Sequence, residues 1–219
     1  MKHVVRIMFI LGVFLTGLFA GALVTNRTEV SEFTPTCRPS SPETLGDQPA
    51  VLFWGNSLAF DGDWPLDGFA SVNCAVQGMT AQTAALRTTA LPDMNVAAVV
   101  LVLGTVELVR DIADPATFRA ALDAITADLA QKYPGADIIA FGIPRNETAK
   151  DVWAYENQQH LDALNDVLGQ IPDVAFLDTT QILAGLPVGS ETYDGVHLTR
   201  QSYLLLNAAI QNALRPSEQ

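Results

Sequence analysis

The sequence predicts an α/β protein of three layers, in which a five-stranded parallel sheet is covered by helices on both faces. Short β-rich apolar runs alternate with longer segments of helical periodicity, the pattern of repeated strand–helix–strand units. Two of the runs, 96–103 and 138–141, are apolar at every position, as strands buried on both faces must be. The composition agrees: 219 residues, 49% hydrophobic and 16% charged, suit one folded domain with a full core and exclude disorder for most of the chain.

The chain opens on Lys2, His3 and Arg6, followed by an uncharged stretch from Ile7 to Val24. Residues 1–25 therefore read as a cleaved export signal or an uncleaved membrane anchor. The stretch is long enough for a bilayer span of about 17–25 residues, while Ala20-Gly21-Ala22 offers a signal-peptidase pattern. Both outcomes hold the basic residues on the cytoplasmic side and send the remainder to the periplasmic or extracellular face. Residues 26–49, rich in Thr, Ser, Pro and acids, read as a linker. Cys37 and Cys74 then lie in an oxidising space, as one structural bridge or as two unpaired thiols.

The domain spans 50–214. Its strands are expected at Ala50–Trp54, Ser71–Val76, Val96–Leu103, Asp137–Gly142 and Val174–Leu177, and its helices at Thr80–Thr89, Pro115–Lys132, Val152–Leu168 and Thr199–Leu214. The helix at 115–132 is the clearest. Phe118, Leu122, Ile125 and Leu129 form one stripe, Asp114-Pro115 starts it, and Tyr133-Pro134-Gly135 stops it.

A net charge of −12 repels phosphate backbones, so nucleic acid is excluded as a partner. The histidines are only His3, His160 and His197, and no His or Cys spacing suits a metal. No metal or cofactor is expected.

Open parallel sheets bind ligands outside the carboxyl ends of their strands. Directly after the first strand comes Gly55-Asn56-Ser57-Leu58, which places a serine on a strand-to-helix turn. Alone, a Gly-Asn-Ser turn is ordinary turn chemistry. Before the last helix stands Asp194-Gly195-Val196-His197, with acid and imidazole on one turn. The acid can fix the imidazole tautomer and leave its other nitrogen to take a serine proton; the alternative is an Asp-Gly turn entering a helix. Trp54, Trp64 and Tyr193 stand near the expected mouth and read as packing rather than as sugar-stacking groups.

Taken in order, these motifs resemble the SGNH, or GDSL, hydrolase family, whose blocks read Gly-Asp-Ser-Leu, Gly, Gly-x-Asn-Asp and Asp-x-x-His. Here Gly55-Asn56-Ser57-Leu58 matches the first, Gly78 after the second strand matches the next, and Asp194-Gly195-Val196-His197 matches the last. The resemblance covers about Ala50 to Leu214. It implies a flavodoxin-like fold and a serine esterase, and the exported compartment and acidic surface point to a short-acyl or O-acetyl ester of a small molecule or glycan as its substrate. Ser57 would be the nucleophile, His197 the general base and Asp194 its orienting acid, with the backbone amides of Ser57 and Gly78 as oxyanion hole.

The third block departs from the family. It reads Gly104-Thr105-Val106-Glu107, so Val106 stands where the family has an oxyanion-binding Asn. Asn56 also replaces the usual Asp, and the Asn56 amide and the Thr105 hydroxyl are the candidate substitutes. Val106 keeps competing readings open: a weakened scaffold that binds a glycan or a protein, or, within the enzyme class, a lysophospholipase or thioesterase.

Overall fold

A computed structural model describes residues 36–39, 48–145 and 158–215. The leader or anchor at 1–25, with its tether at 7–24, and most of the linker lie outside the described residues. No described helix is long and apolar enough to cross a membrane.

Six strands, β1 (Arg38–Pro39), β2 (Ala50–Gly55), β3 (Ala70–Asn73), β4 (Val96–Val102), β5 (Asp137–Phe141) and β6 (Val174–Leu177), form one sheet in the order β1-β3-β2-β4-β5-β6. Strands β2 to β6 run parallel, as expected. The difference is β1, which pairs antiparallel, Arg38 opposite Asn73 and Pro39 opposite Val72. The sheet is therefore mixed and six-stranded rather than parallel and five-stranded, and its extra strand comes from the segment read as linker. Two residues carry no alternation to read, and a proline fits only at a sheet edge. A disulfide between Cys37 and Cys74, with alpha carbons 4.1 Å apart, holds β1 there and resolves the choice between bridge and free thiols.

Seven helices flank the described sheet: α1 (Ser57–Phe60), α2 (Ala81–Ala85), α3 (Thr105–Val109), α4 (Pro115–Lys132), α5 (Gln158–Gly169), α6 (Thr179–Leu183) and α7 (Arg200–Ala213). The helix expected over 80–89 is split into α2 and a 3₁₀ turn at Thr88–Ala90. Buried Thr88 accounts for the break: its hydroxyl donates to the Ala84 carbonyl (2.9 Å) and accepts from Trp54 Nε1 (3.3 Å), offering the backbone an alternative to helix. The strand expected to run to Val76 stops at Asn73, whose Oδ1 accepts the Ala75 amide at 3.0 Å and turns the chain. Of the helix expected from Val152, the described part begins at Gln158.

Side-chain alternation along β2 builds two cores. Leu52 and Trp54 pack with Phe118, Leu122, Ile125 and Leu129 of α4 and with Leu161, Leu164 and Leu168 of α5. Val51 and Phe53 face the other way, onto Leu58, Trp64 and Tyr203, Leu206 and Ile210 of α7. Trp54 and Trp64 are 0% and 1% exposed, so both are core residues, and Trp64 stacks on Phe53 at 4.5 Å between ring centroids.

Helix α7 is also tied to the chain that follows Ser57. Tyr203 Oη donates to the Leu58 carbonyl (2.9 Å), Asn207 Nδ2 to that of Asp63 (2.9 Å) and Gln211 Nε2 to that of Asp67 (3.2 Å), while Gln211 Oε1 accepts the Asp67 amide (2.7 Å).

Candidate active site

Strand β2 ends on a glycine for a steric reason. A Cβ at Gly55 would lie 2.0 Å from the Val102 carbonyl oxygen of β4, closer than any side chain permits. Asn56 follows, fully buried, with its amide donating to the same carbonyl at 3.0 Å. Its Oδ1 accepts the Leu58 amide at 3.0 Å, which caps α1 and sets Ser57 as the first helical residue at the carboxyl end of the sheet. The Asn56 Nδ2 is buried without a hydrogen-bond partner among the described residues.

The loop before α7 brings the second half of the site. Asp194 Oδ1 accepts the backbone amides of Val196 (3.0 Å) and His197 (2.7 Å), while Oδ2 accepts from His197 Nδ1 at 2.7 Å. Gly195, at φ 89°, supplies the left-handed residue this tight turn needs. His197 Nε2 lies 3.1 Å from Ser57 Oγ. Partial burial works against the charge on Asp194, but the His197 side chain and the two amides outweigh it and hold the carboxyl below the usual carboxylate range. An ionised carboxylate only accepts, so the ring proton belongs on Nδ1 and the Nε2 lone pair faces the Ser57 hydroxyl.

Two further groups surround the imidazole. Tyr193, 69% exposed, stacks on the His197 ring with centroids 5.8 Å apart and planes 21° apart; it belongs to the site surface and not to the core. Asp61 Oδ2 lies 4.0 Å from His197 Nε2, a proximity the sequence reading missed. The signal was its spacing, since Ser57 and Asp61 are four residues apart at the start of a helix and share one face.

Gly78 stands on the loop after β3 at φ 72°, and the Val76 amide fastens that loop to the Gly55 carbonyl at 2.9 Å. Gln77 Nε2 reaches Asp61 Oδ1 at 3.4 Å. Among the described residues neither the Ser57 nor the Gly78 amide donates to a protein acceptor, so both are available to a ligand. Thr105 and Val106 open α3 at the end of β4, 3% and 7% exposed, and Val106 offers no donor. Glu107, also buried, accepts the Ala81 amide on Oε1 at 2.6 Å and leaves Oε2 unpartnered. Burial pushes its carboxyl above the usual range, opposed by the Ala81 bond and by the Arg110 charge. Among the described residues no cluster of His, Cys, Asp or Glu is placed to hold a metal ion.

Three strand ends lead to candidate site residues: β2 to Ser57, β3 to Gly78 and β4 to Thr105 and Val106. The sequence profile of the GDSL-like lipase/acylhydrolase family matches residues 40–205. The chain belongs to that family. Solved structures of GDSL-like lipases and related proteins share its fold. A Streptococcus pneumonia protein, provisionally described as a platelet activating factor, superposes with a TM-score of 0.65 at 20% identity, covering 93% of this chain and 99% of its own. A lipase/acylhydrolase from Enterococcus faecalis gives 0.58 at 18% identity, covering 78% and 100%. An acetylxylan esterase from Geobacillus stearothermophilus gives 0.57 at 15%, covering 80% and 97%. At these identities the likeness of the GDSL-like chain to each is one of fold. No curated protein matches it in sequence.

Proposed function

We propose that this GDSL-like protein is an exported serine esterase that removes a short acyl group, such as an O-acetyl, from a small molecule or a glycan. The observation that carries the reading is the continuous line from Asp194 through His197 to Ser57, with contacts of 2.7 and 3.1 Å, the geometry expected of a nucleophile, its base and an orienting acid.

Ser57 Oγ attacks the ester carbonyl as its proton passes to His197 Nε2, and the carbonyl π pair moves onto oxygen. Asp194 stabilises the imidazolium so formed. The amides of Ser57 and Gly78 face the new oxyanion. Collapse re-forms the carbonyl and breaks the bond to the leaving alcohol, which departs with the proton from Nε2. Water then repeats the cycle on the acyl-enzyme: His197 takes its proton, and Ser57 recovers one as the carboxylic acid leaves.

The net charge of −12 disfavours polyanionic substrates. Location outside the cytoplasm, with or without a retained tether at 7–24, rests on Lys2, Arg6 and the uncharged run behind them, and the Cys37–Cys74 bridge suits an oxidising compartment. A second reading, a binding module on a weakened scaffold, draws on Val106.

One experiment separates the two. A fluorophosphonate should label the parent but not Ser57→Ala, and the parent should hydrolyse p-nitrophenyl acetate well above the Ser57→Ala background. Equal rates and no labelling would overturn the esterase reading.

A further inference from the structure

Val106 leaves the site without the side-chain donor that the family carries at this position, and the same helix ends on a cation. Arg110 is the C-terminal cap of α3, its amide bonded to the Val106 carbonyl at 3.0 Å. Residues four apart on a helix lie on one face, and long side chains lean toward the helix N-terminus. Arg110 follows this geometry. One of its guanidinium nitrogens lies 3.0 Å from the point where a Cβ on Gly78 would sit, so the cation rests on the loop whose amide faces the oxyanion.

Nothing in the described residues engages that guanidinium. Arg110 forms no ion pair within 4.0 Å and no hydrogen bond through its side chain, although acidic residues outnumber basic ones 24 to 12 in this chain. Its charge acts on Glu107, three residues before it on α3. A guanidinium unpaired among the described residues of so acidic a protein, against a glycine loop at a strand end, has its N–H groups available to an incoming anion.

We propose that Arg110 supplies the oxyanion donor that Val106 lacks, with its guanidinium, laid over Gly78, donating to the substrate carbonyl oxygen as that oxygen becomes negative. The inference rests on the esterase reading and deepens it. No proton is transferred: the oxygen gains the carbonyl π pair when Ser57 Oγ bonds to carbon, Arg110 holds the resulting charge by hydrogen bonding, and the pair returns when the leaving group departs. Bonds from an ionised donor are about twice as strong as neutral ones, so one guanidinium is a full replacement for one Asn amide. Gly78 then has two roles, its own amide and the room for Arg110 above it.

The test compares p-nitrophenyl acetate hydrolysis by the parent, Ser57→Ala, Arg110→Ala, Arg110→Lys and the double variant Val106→Asn/Arg110→Ala, with thermal melts to verify folding. Arg110→Ala is expected to lower kcat by about 10²- to 10³-fold, the usual cost of one oxyanion donor, with KM little changed. Lysine should keep part of the rate, and Val106→Asn should recover part of it in the Arg110→Ala background. An Arg110→Ala enzyme with parental kcat overturns the proposal while leaving the esterase reading intact. So does a loss confined to KM and seen only with an anionic acyl chain such as mono-p-nitrophenyl succinate, which would make Arg110 a reader of substrate charge. A parent no faster than Ser57→Ala overturns both readings together.

Discussion

His197 Nε2 lies 3.1 Å from Ser57 Oγ across a sequence separation of 140 residues, and the loop that sets this distance is organised by Asp194 rather than by the histidine itself. Asp194 spends one oxygen on the backbone of its own turn and the other on Nδ1. Asp194→Asn is therefore expected to keep the turn, because the amide oxygen still accepts the Val196 and His197 amides, and to lose the tautomer. A fall in kcat of about 10⁴-fold is expected, with melting little altered. Stopped assays on a short-acyl ester check it, and a fall under tenfold would remove Asp194 from the mechanism.

Buried Glu107 makes stability depend on pH. Its carboxyl is raised above the ordinary value of 4.5, chiefly by burial, so the folded chain holds the proton more tightly than the unfolded one. Stability from this group is complete below about pH 4.5 and declines as pH rises through the folded value. Glu107→Gln keeps an oxygen for the Ala81 amide and removes the ionisation. Its stability relative to the parent should therefore rise between pH 4 and pH 8, as read from urea midpoints; a difference flat with pH would show that Glu107 does not titrate in that range.

The Cys37–Cys74 bridge closes a loop with a sequence separation of 37. In the chain-entropy account this is worth about 3–4 kcal/mol, so Cys37→Ser/Cys74→Ser should lose a stability of that order in urea unfolding. The double variant should still label with fluorophosphonate, because Ser57 is placed by β2, β4 and α1 and not by the bridge.

Gly55→Ala should be among the most damaging single-methyl additions in the domain. Its Cβ would meet a backbone carbonyl oxygen at 2.0 Å, and a backbone atom has no rotamer in which to give way. The expected cost exceeds the roughly 1–3 kcal/mol typical of overpacking, and soluble yield and melting temperature measure it. Gly68, also at positive φ but with nothing near its Cβ position, is the control: alanine there should leave a folded, labelled enzyme.

The elements legible in the sequence were those whose burial leaves a pattern. Strand β4 reads as a strand because both of its faces are covered, and α4 because Phe118, Leu122, Ile125 and Leu129 repeat over about three turns. Helices α1, α3 and α6, of four or five residues, are too short to show a period, and β1 is held by a covalent bond that spacing alone left open. At the site, Ser57, Asp194 and His197 were legible because their turns carry their own signatures. Asp61 and Arg110 were not: each reaches the site by helical geometry, one turn beyond Ser57 and one turn beyond Val106, and an exposed charge on a short helix has no distinguishing mark in sequence.

The bonds between α7 and the segment from Leu58 to Asp67 give the molecule a timing. During synthesis the serine turn is made early, while Asp194, His197 and the helix tied to the segment after that turn are made much later. If Ser57 is the nucleophile proposed above, a nascent chain holding β2 to β6 carries it with no partner and is inert toward esters. On the proposed mechanism, chemistry switches on only when residues up to about Gln211 are free to fold back onto the segment after the serine turn.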